Sequence, residues 1–168
     1  MSDDEVYYED LSPFALDEAD AQRLLDVQAE CTFCWGTKDG SPMGVIMAHV
    51  WKDGSVWLTA TSQRKRIPAI RRNPMCAVVV TSVGSTEPPG RTVTVKGPCT
   101  IHEDDATKAW FYPALAEKVV PVAGPARDAF QKHLDSPLRV VLELKPQKWI
   151  TCDAAKMMGA SFSELGVG

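Results

Sequence analysis

The chain has 168 residues, of which 45% are hydrophobic and 24% charged, and its formal net charge is −4 at pH 7. That is enough sequence for one domain whose core needs no disulfides, and too ordinary a composition for wholesale disorder. The negative balance removes any global attraction to nucleic acid, and no run of about 18 apolar residues offers a membrane span.

Residues 1–16 open as the acidic MSDDEVYYED, with no basic segment ahead of an apolar run. They read as an N-terminal arm rather than an export signal, so the expected location is the cytoplasm. A single domain is expected over residues 17–155, with residues 156–168 as a C-terminal tail. From Asp17, DEADAQRLLDVQAE predicts a helix. Carboxylates occupy its first turn, where the dipole favours them, and Ala21, Leu24, Leu25 and Gln28 follow helical spacing.

Cys31 and Cys34 lie in CTFCWGT, which reads as a strand. A redox pair belongs at a helix N-terminus, and a zinc site needs a second close pair that Cys76, Cys99 and Cys152 do not form. The better reading is two small buried residues in a strand, with all thiols reduced. KDGS then occurs twice, at Lys38–Ser41 and Lys52–Ser55, and Asp-Gly supplies the positive φ that tight hairpins need. The three segments Cys31–Thr37, Pro42–Trp51 and Ser55–Thr61 are therefore expected to form an antiparallel meander. Both faces of the middle one are largely apolar, which predicts a strand covered on both sides, as in a barrel packed against a partner.

TATSQRKRIPAIRRNP (Thr59–Pro74) places five basic residues, Arg64, Lys65, Arg66, Arg71 and Arg72, in an acidic protein. The pattern predicts a strand ending near Thr61, a turn, and a short helix packed through Ile67 and Ile70 and stopped by Asn73-Pro74. Arg71 and Arg72 sit where a helix dipole welcomes positive charge. Arg64, Lys65 and Arg66 sit where it does not, which points either to an anion such as phosphate or to a solvated turn. A nucleic-acid surface ranks behind both, since one basic turn offers few phosphate contacts and no interleaved aromatics.

MCAVVVTSV and RTVTVKGPCTI read as two further strands around a GSTEPPG loop. EDDATKAWFYPALAEKVV reads as a helix bent or interrupted at Pro113, and GPARDAFQKHLDSP as a shorter one with Pro125 near its start. LRVVLELKPQKWITCD supplies a last strand, with Val140, Leu142 and Leu144 on one face. His102 and His133 have no carboxylate or cysteine at ligand spacing and read as structural or exposed. Strands dominate, so the expected fold is mainly β: a small antiparallel barrel with peripheral helices.

The run from DGSPMGVIMAHVWKDGSVWLTATSQRKRIPAIRRNPMCAVVV to GRTVTVKG resembles the pyridoxamine 5′-phosphate oxidase-like flavoproteins, a class that includes relatives binding the deazaflavin F420 in place of FMN. The resemblance implies an FMN-binding split β-barrel. Lys65 and Arg66 match the basic pair that holds the flavin phosphate, and Arg64 stands beside them as a further cation. Thr59 and Ala60 match the strand end beside the phosphate and ribityl chain, with Thr61 just beyond. Val45, Ile46, Met47 and Ala48 match the strand whose backbone follows the ring, and Thr92 matches a polar residue that reaches the cofactor from a later strand. His49, by the expected cofactor edge, and Trp149 are candidate substrate contacts, though a barrel histidine and a strand end explain them as well.

In this class the flavin lies between two subunits, which implies a homodimer. Two departures argue against vitamin B6 oxidation. Val45 and Val50 stand where many true pyridoxamine phosphate oxidases have Arg and Lys, and the C-terminal Arg-x-His motif is missing. The expectation is an oxidoreductase using FMN, taken ahead of F420 as the commoner cofactor, on a small organic substrate. The alternative is a non-catalytic flavin or haem carrier on the same barrel, since no residue is required as acid or base.

Overall fold

The computed structural model describes residues 12–164, with side chains described as far as Gly159. Helix α1 (Glu18–Val27) begins where the Asp17 carboxylate accepts the Asp20 N–H at 2.7 Å. It stops three residues short of the expected end. Gln28 leaves helical angles and gives its side-chain amide to the carbonyls of Thr81 and Val83.

Four strands follow, β1 (Glu30–Gly36), β2 (Pro42–Ala48), β3 (Val50–Lys52) and β4 (Ser55–Thr61). Then come the short α2 (Arg66–Arg72) and strands β5 (Met75–Thr81) and β6 (Arg91–His102). Two helices, α3 (Asp105–Val119) and α4 (Pro125–Leu134), precede β7 (Arg139–Leu144), β8 (Lys148–Asp153) and α5 (Ala154–Glu164). Pro113 lies inside α3, and Pro125 opens α4 where a missing N–H costs nothing. The expected tail boundary at residue 156 falls within α5. The described end of the N-terminal arm is packed rather than loose: Leu16 joins the core, and its N–H bonds to Thr151 Oγ1 at 3.0 Å.

The expected meander does not form. The segment 42–52 breaks at His49, whose N–H goes to the Ala29 carbonyl at 3.1 Å instead of a neighbouring strand. Its front half, β2, pairs with β1, and its back half, β3, pairs with β4. The sheet order is β2-β1-β5-β6-β7-β4-β3, antiparallel throughout, with β8 also on β6. Because β2 and β3 are consecutive pieces of one segment, the two ends of the sheet meet at His49 and the sheet curls into a barrel. The two KDGS turns differ as well. Asp53 and Gly54 both take positive φ (51° and 74°) in a two-residue hairpin, whereas in the first turn it is Gly40 that does so.

Inside the barrel, Phe33, Leu58, Val78, Val93, Val95 and Leu142 are fully buried, closed off by Leu24 and Leu25 of α1 and Ile67 and Ile70 of α2. Val140 and Leu144 share that core with Leu142, as their alternation requires. A second core under α3 and α4 gathers Phe111, Tyr112, Leu115 and Leu134 against Val50 and Val141. The last strand is split because β7 and β8 bulge apart against β6 at Gly97. Within one chain, β2 leaves Met43 49% and Ile46 64% exposed.

Candidate functional site

The barrel leaves a cleft where β4 ends and β7 begins. Register makes it. Thr59, Ala60 and Thr61 pair with Val141, Val140 and Arg139, so the hydroxyl-bearing end of β4 lies beside a cation that is distant in sequence. The end of β2, at Met47 and Ala48, forms another wall, and Leu115, Phe130, His133 and Leu134 of α3 and α4 lie across from it. Arg64 and Arg66 complete a space of about 290 Å³.

After Thr61 the chain turns twice, with the Arg64 N–H on the Thr61 carbonyl at 3.0 Å and the Ile67 N–H on the Arg64 carbonyl at 2.9 Å. Those two amides are thus already used, and Lys65 precedes α2 without giving it a side-chain cap. The positive character of the site therefore rests on side chains. Arg66 lies against the Trp35 ring, 5.4 Å from its centroid, and its Nη1 donates to Met47 Sδ at 2.7 Å. An aromatic face and a thioether hold the guanidinium while leaving it without a counter-charge. Burial first, and the Arg64 charge second, draw its pKa below the ordinary range.

Arg139 shows the same want of a partner. Its Nε is buried and has no hydrogen bond. Among the described residues, Arg23, Arg71 and Arg91 form ion pairs and Arg127 bonds to the carbonyls of Val120 and Pro121, whereas Arg64, Arg66, Arg139 and the exposed Arg72 form no ion pair. No carboxylate lines the cleft. Unpaired cations in a partly dry pocket are costly unless an anion joins them, so the arrangement suits a phosphate or another acidic group. Thr59 Oγ1 donates to the Val140 carbonyl at 2.8 Å, which fixes the hydroxyl with its lone pairs still free. The wider groove between α3 and α4, about 530 Å³, mixes Asp105, Asp128 and Asp135 with Lys108 and Lys132 and has no comparable excess of either sign.

Of the residues expected from sequence, Met47, Ala48, Thr59, Ala60, Thr61, Arg64 and Arg66 come together here. Lys65 is exposed and does not line the cleft, nor do Val45 and Ile46, earlier on β2. Thr92 pairs with Thr81 and Cys152, ten residues along β6 from His102, and so stands at the far end of the sheet within one chain. Trp149 is 38% exposed and meets Trp51 edge-on at 5.7 Å, beside a separate hollow with Leu16 and Thr151. His49 is fully buried, with Nε2 on the Leu25 carbonyl at 2.9 Å, and turns away from the cleft.

Arg139 and His133 were not marked by the sequence. Arg139 merely opens an apolar strand, and only the pairing of β4 with β7 reveals its neighbour. His102 has the carboxylate partner that spacing did not suggest: Glu143 Oε2 lies 2.9 Å from its Nε2, and Glu143 Oε1 accepts from Ser55 Oγ at 2.9 Å. Cys31 is buried and Cys34 half-buried, three apart on β1 and so on opposite faces. Burial pushes the Cys31 thiol up to about 12, which makes it unreactive. Among the described residues, no group of three or more His, Cys, Asp or Glu side chains could hold a metal ion, and no helix is long and apolar enough to cross a membrane.

Comparison with known proteins places these features. The family model described as pyridoxamine 5′-phosphate oxidase matches residues 19–153. No curated protein matches the chain. Among solved structures, the conserved hypothetical protein Rv2991 from Mycobacterium tuberculosis is 16% identical, with 87% of this chain and 90% of that one aligned at a TM-score of 0.73. A structure named F420 reductase is 22% identical over 77% of this chain and 94% of its own, with a TM-score of 0.60. A FAD-binding protein from Mesorhizobium loti is 16% identical over 82% and 94%, also at 0.60. At these identities the structures bear on the fold alone.

Proposed function

The chain belongs to the pyridoxamine 5′-phosphate oxidase family, and on that premise we propose that it is a flavin- or deazaflavin-dependent oxidoreductase. It binds FMN or F420 in the cleft between β4, α2 and β7, and acts on a small organic substrate. One observation carries the proposal: three arginines, Arg64, Arg66 and Arg139, converge beside Thr59 and Thr61 with no carboxylate among them. The buried, partnerless Nε of Arg139 fits an acidic group of the cofactor, as does the counter-ion-free Arg66. Relatives of this fold named as an F420 reductase and a FAD-binding protein support the same cofactor class.

In this reading Arg66 and Arg64 hold the phosphate, the hydroxyls of Thr59 and Thr61 orient it, and Met47 and Ala48 present the end of β2 to the rest of the molecule. Bound there, the cofactor supplies hydride transfer, while the chain supplies grip, orientation and a dry wall from Leu115 and Phe130. The chemistry of vitamin B6 oxidation is not part of the proposal, since Val45 and Val50 replace cations and the Arg-x-His motif is absent.

The active form proposed is a homodimer. Ile46, Thr32, Val79, Thr94 and Ile150 form one continuous row across β2, β1, β5, β6 and β8. Ile46 and Ile150 at its ends are 64% and 46% exposed. Thr92, two residues from Thr94, shares this outer face, so a second copy docked on it offers Thr92 to a cleft that its own chain cannot reach.

Titrating the purified protein with FMN and with F420, followed by cofactor fluorescence, tests the reading. One of them should bind with micromolar Kd or better, and Arg66→Ala should weaken it by about tenfold or more. If neither binds at micromolar protein, the proposal is wrong. Binding without turnover under any reductant would make the protein a carrier instead.

A further inference from the structure

The basic side chains of the cleft stand on two walls. Arg64 and Arg66 come from the turn and helix after β4, whereas His133 and Arg139 come from α4 and the start of β7. Thr61 lies between them, since it is the ladder partner of Arg139. Three guanidinium groups carry three fixed charges, and a phosphate monoester brings about two at neutral pH. A single phosphate gripped by Arg64 and Arg66 therefore leaves Arg139 as it stands now, with a buried N–H and nothing to receive it. Arg23, Arg71 and Arg91 each have a carboxylate partner, whereas no carboxylate lines this cleft.

We propose, building on the cofactor reading above, that His133 and Arg139 form a second anion subsite, so that the cleft takes a ligand with two separate acidic groups. The first is the phosphate on the Arg64–Arg66 wall. The second is a carboxylate or a further phosphate on the α4–β7 wall. It belongs either to an extended tail of the cofactor or to an acidic substrate lying beside it. Arg139 supplies the fork geometry that matches a planar carboxylate or two phosphate oxygens, and His133, exposed at the rim, supplies an additional donor.

The test separates the two walls by charge. Binding of inorganic phosphate, pyrophosphate, FMN and F420 is measured by calorimetry for the natural protein, Arg139→Gln, His133→Ala and Arg66→Gln. Melting curves identify any variant that has failed to fold. Arg139→Lys stands in for Arg139→Gln in that case, because it keeps the charge but loses the fork. Arg139→Gln should weaken the ligands with more than one acidic group, pyrophosphate and F420, by about ten- to a hundredfold, while FMN and phosphate change by less than about threefold. Arg66→Gln should weaken all four, and His133→Ala should follow the Arg139 pattern more mildly.

If F420 shows the Arg139 effect, the second group belongs to the cofactor. If FMN binds as tightly as F420 and the effect appears only with a dicarboxylate titrated into the FMN-loaded protein, it belongs to the substrate. Equal losses for FMN and F420 in Arg139→Gln would mean one phosphate clamped by both walls, and no loss at all would mean an idle arginine. Either result overturns the second subsite while leaving the cofactor reading intact. If neither cofactor binds the natural protein, that reading fails by itself, and the preference for pyrophosphate over phosphate, with its loss in Arg139→Gln, still decides the subsite.

Discussion

At His49 the strand segment 42–52 breaks, and the imidazole is held fully inside with Nε2 donating to the Leu25 carbonyl at 2.9 Å. Nδ1 has no partner. Burial, and then the nearby Lys118 charge, lower its pKa from 6.5 to about 4, with the bond to Leu25 opposing them. A folded-state pKa below the unfolded one means that the unfolded chain takes up a proton which the native state refuses. The neutral imidazole thus leaves stability intact above pH 6.5, and stability falls as pH drops from 6.5 toward 4, by roughly 3 kcal/mol across the window. Asp20 and Glu87, lowered chiefly by hydrogen bonds to Arg23, lose their contributions only as pH falls below the ordinary carboxylate range, beneath most of that window. Urea unfolding between pH 7.5 and 4.5 should show the decline. His49→Gln should be less stable at pH 7.5 and flatter across the range, and an equally steep variant curve would show that another group is responsible. His49 also marks a limit of the sequence. Beside the expected cofactor edge it reads either as a substrate contact or as a barrel histidine, and only the arrival of α1 gives its ring a partner, the Leu25 carbonyl. Arg64 and Arg66 could be read because their chemistry is local. Arg139 could not, because its meaning comes from a strand partner 78 positions away, Thr61.

The elements repeat this division. The turn Asp53-Gly54 was legible because two positive φ angles are a demand on those two residues alone. The capped start of α1 and the Asn73 stop of α2 were legible for the same reason. The three-stranded meander is not what forms, because nothing in Pro42–Trp51 records that its halves hydrogen-bond to different strands. The split of the last strand into β7 and β8 was also hidden, and Gly97 explains it. A Cβ placed there would lie 2.0 Å from the Lys145 carbonyl oxygen and 3.2 Å from the Gln147 nitrogen. Both belong to backbone that is itself committed, Lys145 N–H to the Pro98 carbonyl at 3.1 Å and Gln147 N–H to the Lys96 carbonyl at 2.9 Å. Neither can retreat without breaking the ladder by which β7 and β8 hold β6. Gly97→Ala should therefore cost about 3 kcal/mol or more, at or above the upper end for an overpacked core. Thermal and urea unfolding should show a midpoint shift of that size, or no soluble protein at all. A change below about 0.5 kcal/mol would mean that the bulge relaxes freely. Gly54→Ala, strained in φ but with nothing within 4 Å of the new methyl, should be milder and serves as the comparison.

At the scale of the molecule, a row of side chains from Ile46 through Thr32, Val79 and Thr94 to Ile150 faces outward from five adjacent strands. Apart from Glu30 at the start of β1, most residues on this face are small, apolar or Thr. Lys96 and Lys148, a ladder pair, supply charge at one margin. An acidic protein that left such a face to solvent would carry a flat sheet surface inviting association. An added Cβ at Gly44 would sit 3.2 and 3.3 Å from the side chains of Thr32 and Cys34 on this face, so a larger residue there would crowd both. Pairing two copies there would cover Ile46 and Ile150 on each and put Thr92 of one chain within the reach of the other. Ile46→Glu tests this directly, because the side chain is 64% exposed and the change should leave a monomer's own fold undisturbed. Two carboxylates would be forced into one desolvated interface, a penalty of several kcal/mol against dimerisation. Sedimentation should give a dimer for the natural protein and a monomer for Ile46→Glu, at an unchanged circular dichroism spectrum. Cofactor affinity should fall together with the dimer if Thr92 acts across the interface, and Thr92→Val should then weaken binding while the dimer persists. A natural protein that sediments as a monomer yet binds cofactor at full affinity would show that each chain completes its own site, and the role given to Thr92 would have to be abandoned.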